Sequence, residues 1–355
     1  MSWRPCLLAS ALGLFATCAL AQVSPDRMAV GIAEGRVVIY AATDQNIVQP
    51  LIDDFEQRHP GIKVEYHDMH STDLYQRVVD EAQQGSKADV VWSSAMDLQV
   101  KLVNDGYAQT HRSAETAALP SWAVWKNEAF GTTYEPAVFV YHKPALQPDE
   151  LPDTHAALIA LLQRTPARFN GRLATYDPRL SGVGLLLHTQ DAQSNPIAFW
   201  SLVQTLGDNG IRAYATSGAM LDSISSGETL IGYNVLGSYA LTRAETDPGI
   251  GVIWPRDYTL VLSRVAFITR DARHPQAARL WLDHLLSRHG QTVLARNAGL
   301  FAVREDVSTE TAVGLRKQLG SAFRPIPIGS GLLTYLDQAK QRDFLRQWEA
   351  AVKPR

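Results

Sequence analysis

Three strand-to-helix units follow one another near the start of the sequence, and no other feature narrows the fold as far. RVVIYAAT, Arg36 to Thr43, is β-branched and aromatic, reads as a buried strand, and ends in the polar loop Thr43 to Asn46. In NIVQPLIDDFEQRHPG, Ile47, Leu51 and Phe55 recur with helical spacing until His59-Pro60-Gly61 stops the helix. The pattern returns as strand IKVEYHDM, polar junction His70 to Asp73 and helix LYQRVVDEAQQG, closed by Gly85, and again as KADVVWSSAMD followed by LQVKLVNDG. Consecutive units of this kind require a parallel sheet with right-handed crossovers. Ligands of such sheets sit outside the carboxyl ends of the strands, here the loops Thr43 to Asn46, His70 to Asp73 and Ser93 to Asp97.

The chain then changes character. FGTTYEPAVFVYHKPAL opens with polar residues onto an apolar strand, Ala137 to Tyr141, and reads as a crossing into a second lobe. That lobe has its own alternation: a helix near Thr154 to Arg164, the strand Arg172 to Tyr176, a helix from about Val183, a Trp200-bearing helix and the strand TLIGYN. GIGVIWPRDYTLVLSRVAFIT predicts two strands separated by Pro255-Arg256-Asp257, the second returning the chain to lobe one. Helices follow to Arg355, with Ala278, Leu282, Leu285 and Leu286 at helical spacing. The 355 residues thus suit two α/β lobes joined by two crossings, lobe one from 36–136 and 262–305, lobe two from 137–261 and 306–355. Such a molecule hinges.

The N-terminal residues 1–21 read as a cleavable signal peptide: Arg4, an apolar run from Cys6 to Leu20, and the small-residue pattern Ala19-Leu20-Ala21. The run is shorter than the ~20 residues of a membrane helix. Both cysteines, Cys6 and Cys18, lie in that segment, so the mature chain is expected to have no disulfide, thiolate metal site or cysteine nucleophile. Periplasmic localisation is the expectation. A net charge of −3 with no basic stripe excludes nucleic acid and anionic membrane surfaces as expected partners.

No nucleotide, serine-hydrolase or zinc-protease motif occurs. His67 and His70 face opposite sides of a strand and cannot share an ion without a bend. His284 and His289 read as solvated helix residues. The stretch ATYDPRLSGVG, Ala174 to Gly184, is a stronger candidate. A strand runs into a helix that Ser181 can cap, Gly182 and Gly184 allow close backbone approach, and free N–H groups at the helix start favour an anion. Arg179 would add a charged hydrogen bond. The alternative is a simple Asp-Pro turn with a capping serine.

KADVVWSSAMD, GTTYEPAVFVYHKPAL, DPRLSGVG and the strand end GYNVLGSYA, in that order, resemble the extracellular solute-binding proteins of ferric-iron-type ABC transporters over Arg36 to Asp306. The resemblance implies an α/β, type II periplasmic-binding-protein-like clamp, each lobe a mixed sheet flanked by helices, that closes on a ligand without catalysing a reaction. It implies an inner-membrane ABC permease as partner, or a membrane histidine kinase, and a monomer. In iron-binding members, adjacent tyrosines after the strand equivalent to Leu230 to Asn234 hold ferric ion, with a histidine from the first loop and a glutamate from the third. This sequence departs at each place: Val235-Leu236-Gly237 follows Asn234, the first loop reads Thr43-Asp44-Gln45, and the third has Ser93-Ser94-Ala95. Neutral hydroxyls and amides do not supply the charge a hard trivalent ion needs.

What remains is Thr43, Asp44, Ser71, Thr72, Ser93, Ser94, Thr133, Arg179, Ser181, Gly182, Asn234, Ser238 and Arg264, with Tyr134, Tyr233 and Tyr258 as stacking or hydrogen-bonding aromatics. Such a set suits a small oxygen-rich anion, an organic phosphate or carboxylate, with no cofactor and no metal. Arg264 has a structural alternative, an ion pair with Asp257 or Glu135. The rival ligand is ferric ion held through Tyr233 and Tyr239 with an anion. The rival class is an exported transferase, whose acid and base would have to come from Asp44, Asp73, Asp97 and Glu135.

Overall fold

The structure is a computed structural model that describes residues 25–307 and 312–353. The expected signal peptide and both cysteines lie outside the described residues. In chain order the strands are β1 (Arg36–Ala41), β2 (Lys63–Asp68), β3 (Val90–Ser93), β4 (Val124–Trp125), β5 (Ala129–Gly131), β6 (Thr133–His142), β7 (Leu173–Tyr176), β8 (Arg212–Tyr214), β9 (Ile231–Leu236), β10 (Ile250–Ile253), β11 (Thr259–Leu262), β12 (Val265–Ile268), β13 (Phe301–Ala302) and β14 (Phe323–Pro325). They form two mixed sheets, ordered β2-β1-β3-β12-β5-β4 and β14-β11-β6-β9-β7-β8, with β10 and β13 also pairing with β6. Each sheet with its helices is one lobe.

The three repeated units do what their pattern requires. β1 lies between β2 and β3 and is parallel to both, with Tyr40 opposite His67 and Ile39 opposite Val90. Alternation along β1 splits its side chains between two layers. Val37 and Ile39 pack with Phe55, Trp92 and Trp281, while Val38 and Tyr40 pack with Leu74, Val78 and Val100. A fully buried Phe55 contributes roughly 1.5–3 kcal/mol relative to an exposed one. In the second lobe Phe139, Ile231 and Tyr233 meet Leu158 and Leu202, and Val138, Val140 and Val235 meet Met220 and Ile224.

Two sequence expectations change. The run from Tyr258 to Thr269 is not one strand: it breaks at Ser263-Arg264 into β11, in the second sheet, and β12, antiparallel to β3 in the first. The break has a long-range cause. Thr132 donates its backbone N–H to the Arg264 carbonyl (2.8 Å), and Arg264 donates its own to Thr133 Oγ1 (3.0 Å), so the two crossings bind each other where they pass between sheets. His284, expected in solvent, is buried against Phe55 beside Asp54, and burial pushes its imidazole down to about 3. His289, half-exposed, pairs with the same Asp54.

After β14 the chain returns toward the first lobe. Ile328 donates its N–H to Trp122 O (3.0 Å), and the helical turn Ser330–Leu336 places Leu332 in the cluster that holds Met96, Val100 and Val103. The last helix, Gln338–Val352, then packs on Pro196–Asp208 of the second lobe through Phe344, Trp348 and Phe199.

Candidate functional site between the lobes

Six helices begin at one place. Gln45–Arg58, Ser71–Ala82 and Met96–Asn104 follow β1, β2 and β3, and Gly182–Ser194, Ser217–Ser225 and Gly237–Thr246 follow β7, β8 and β9. Residues at their N-termini line a cavity of about 540 Å³: Asp44, His70, Ser71, Asp73 and Ser94 from the first lobe, Ser181, Val183, Thr216, Ser217, Gly218, Leu236 and Tyr239 from the second. This is where strand-loop-helix geometry directs a ligand, at the starts of helices from both sheets. The lobes touch there. Tyr239 Oη donates to Asp44 Oδ2 (3.0 Å), and a Cβ added at Gly182 would stand 2.9 Å from Ser71 Oγ.

Arg264 lies in the crossing between β11 and β12, on the cavity wall, with 1% of its surface exposed. Its Nε donates to Glu135 Oε1 (3.0 Å) and its Nη1 to Thr43 Oγ1 (2.7 Å). Its Nη2 is buried and has no partner. Burial alone would lower the pKa, but Glu135, with Tyr239 and Tyr66 nearby, outweighs it and holds the guanidinium above its ordinary value. A buried charged donor without a protein acceptor is costly to leave unmet.

The wall is asymmetric. Its carboxylates, imidazole and guanidinium, from Asp44, Asp68, Asp73, His70 and Arg264, come from the first lobe or the crossing; the second lobe contributes hydroxyls and apolar groups. Ser181 Oγ accepts from Gly184 N (3.1 Å) and Thr216 Oγ1 from Ala219 N (3.2 Å), both neutral caps. Tyr239 is pushed up to about 12, mainly by burial, with Arg264 opposing and Asp44 adding to the shift. Burial also raises Tyr176, whose hydroxyl bonds Ser217. Both are neutral phenols at ordinary pH.

Of the residues singled out from sequence, Asp44, Ser71, Ser94, Ser181 and Arg264 line the cavity. Thr43 and Thr133 stand behind Arg264 as hydrogen-bond partners, and Ser238 donates to the other oxygen of Glu135. Ser93 accepts from Ala95 N (3.2 Å) under the third loop. Gly182 begins its helix against Ser71, Ala95 and Leu98, and Thr72, half-buried, is off the wall.

Other positions point elsewhere. Arg179 is off the cavity wall: its Nη2 bonds Asp177 Oδ2 (2.6 Å) and its Nη1 reaches Glu349 (3.2 Å), tying it to its own loop and the last helix. Asn234 donates to Asp191 Oδ2 (2.6 Å), the oxygen that also accepts from Tyr233. Tyr233 therefore turns into the core while Tyr239 faces the cleft, and the tyrosine pair weighed for iron is not brought together. Tyr258 stacks on His155 at 4.2 Å, and Tyr134 accepts from Arg316 Nη2 (2.7 Å) in an aromatic cluster. For Arg264 the ion-pair partner is Glu135, whereas Asp257 holds His155.

The chain matches the model of the bacterial extracellular solute-binding protein family over residues 37–299. The chain belongs to that family. The substrate-binding protein of an ABC transporter from Agrobacterium tumefaciens is 40% identical, covers 90% of this chain and 94% of its own, and superposes with a TM-score of 0.85. Two more distant structures share the fold. Iron-bound HitA from Pseudomonas aeruginosa is 16% identical over 89% of this chain and 99% of its own (TM-score 0.71). AfuA from Actinobacillus pleuropneumoniae, with exogenous fructose-6-phosphate bound, is 18% identical over 90% and 98% (TM-score 0.72). No curated protein matches.

By family the molecule is an extracellular solute-binding protein. Sequence reading missed part of its cleft: Asp68, Tyr176 and the Thr216-Ser217-Gly218 turn. The last had a signal, since Thr216 before an apolar run is an N-cap pattern. The strand that leads into it, β8, is only three residues long and largely exposed, so it lacks an apolar stripe.

Proposed function

We propose that this solute-binding protein captures a small organic anion, a phosphate ester or carboxylate, by closing its lobes on the interlobe cavity, and delivers it to an ABC importer or reports it to a sensor kinase. It is exported by removal of residues 1–21, acts in the periplasm, and makes or breaks no bond in its ligand. The buried, unpartnered Nη2 of Arg264 carries this reading. Helix N-termini from both lobes supply further donors only when the lobes meet, so ligand binding shifts the population toward the closed form.

Arg264→Lys keeps a cation for Glu135 but removes the Nη2 donor. Loss of a charged hydrogen bond of about 1.5–3 kcal/mol weakens anion binding roughly 10- to 150-fold. Arg179→Ala leaves affinity within about twofold, its exposed pairs being worth ~1 kcal/mol or less to stability and nothing to the ligand. Calorimetry on both variants, with the phosphate ester or carboxylate that most raises the wild-type melting temperature, checks the pair. The reverse ranking would remove Arg264 from the site.

A second reading is ferric ion, favoured by two tyrosines, Tyr176 and Tyr239, on one cavity wall. Against it, among the described residues no three His, Asp or Glu side chains are placed to hold a metal ion. A visible tyrosinate band on adding ferric ion, with no response to any anion, would establish iron instead.

A further inference from the structure

We propose that the ligand is a zwitterion, its anionic group set against Arg264 and the helix N-termini of the second lobe and its ammonium group against the first-lobe carboxylates Asp68 and Asp73. This rests on the interlobe cavity being the anion site proposed above. The observation behind it is the division of charge across the cavity. Arg264 is already balanced by Glu135 (3.0 Å), and its free Nη2 is buried at the wall, the whole residue being 1% exposed. Beyond that pair the wall carries Asp44, Asp68 and Asp73. An anion with no positive or donor-bearing end would sit beside three carboxylates on exposed residues, where like charges repel even with solvent screening.

The helices show which end goes where. None of the three first-lobe helices has a side-chain cap from its N-cap residue, but a carboxyl group lies at each start: Asp68 Oδ2 accepts from Gln45 N (2.9 Å), and Asp73 and Asp97 lie in the first turns of Ser71–Ala82 and Met96–Asn104. Second-lobe starts have only the neutral caps of Ser181 and Thr216, and Gly237–Thr246 has no side-chain cap. The positive ends left for a ligand anion are therefore on the second lobe, beside Arg264. The surplus negative charge is on the first, where Asp68 and Asp73 flank His70 and Ser71. A cavity of about 540 Å³ suits a small molecule reaching from one wall to the other.

Hydroxyl groups also donate to carboxylates, so the test uses matched phosphate monoesters: phosphoethanolamine, ethyl phosphate and glycerol 3-phosphate, titrated by calorimetry into the full protein. The expected result is binding of phosphoethanolamine at least tenfold tighter than of the other two. In the double variant Asp68→Asn, Asp73→Asn that preference collapses to within about threefold. The melting temperature holds, because the amide that replaces the Asp68 carboxylate retains an oxygen for Gln45 N and position 73 is exposed. Equal binding of the three esters, or preference for glycerol 3-phosphate, overturns the zwitterion while leaving the anion site in place. So does an amine preference that survives the double substitution. If none of the three binds and no other phosphate or carboxylate raises the melting temperature, the anion reading fails and this one with it.

Discussion

Asp97 shows how a single buried side chain sets a pH dependence. It lies in the first turn of Met96–Asn104, 4% exposed, with Oδ1 unpartnered. Burial pushes its pKa up to about 7, against which backbone N–H groups of Leu98 and Asp97 itself act weakly. A carboxyl whose folded pKa is raised binds more protons folded than unfolded between its ordinary value, near 4, and about 7, so its effect on stability becomes less favourable as pH rises through that window. Asp97→Asn is expected to match the wild type near pH 3.5 and to be more stable by a few kcal/mol at pH 8. Denaturant unfolding at a series of pH values checks this, and a difference independent of pH would show that the carboxyl does not charge in the folded state. Single residues were the least legible scale in the sequence. Arg179 and Arg264 are chemically identical there, and only the fold shows Asp177 and Glu349 pairing with the first while the second, on the cavity wall, pairs with Glu135 and keeps one buried nitrogen without a partner.

At the scale of elements the site consists of helix starts, and the spacing between opposing starts decides closure. Gly182 opens Gly182–Ser194, and a Cβ there would meet Ser71 Oγ at 2.9 Å, Leu98 Cδ1 at 3.0 Å and Ala95 Cβ at 3.2 Å, all from the first lobe. The position has no positive φ to strain a larger residue. Gly182→Val should therefore fold normally but hold the lobes apart, weakening ligand binding about tenfold or more with the ligand-free melting temperature nearly unchanged. Calorimetry and thermal unfolding together decide it, and undiminished affinity would mean that closure does not bring these helices together. Elements with a strong period were legible: β1, β2 and β3 and the helices after them lie where their apolar spacing puts them. The break between β11 and β12 was not, because its cause is pairing with Thr132 and Thr133, some 130 residues away in sequence.

The whole molecule is held by more than its two crossings. The C-terminal segment runs from β14 to the first lobe, where Leu332 packs with Met96 and Val100, and back to the second, where Trp348 and Phe344 cover Phe199. Gly207 fixes that return, since a Cβ on it would stand 2.2 Å from Ala351 O. A strap docked on both lobes while they touch is expected to favour the closed arrangement over an open one. Leu332→Ala, remote from the cavity, removes buried contacts with a total cost of about 2–5 kcal/mol. If the strap biases the hinge, part of that cost falls on the closed form alone. The ligand-free variant should have a larger radius of gyration by small-angle X-ray scattering, a dissociation constant raised several-fold, and the wild-type radius at saturating ligand. A lower melting temperature with radius and affinity both unchanged would make the strap a stabiliser of the fold with no part in the hinge.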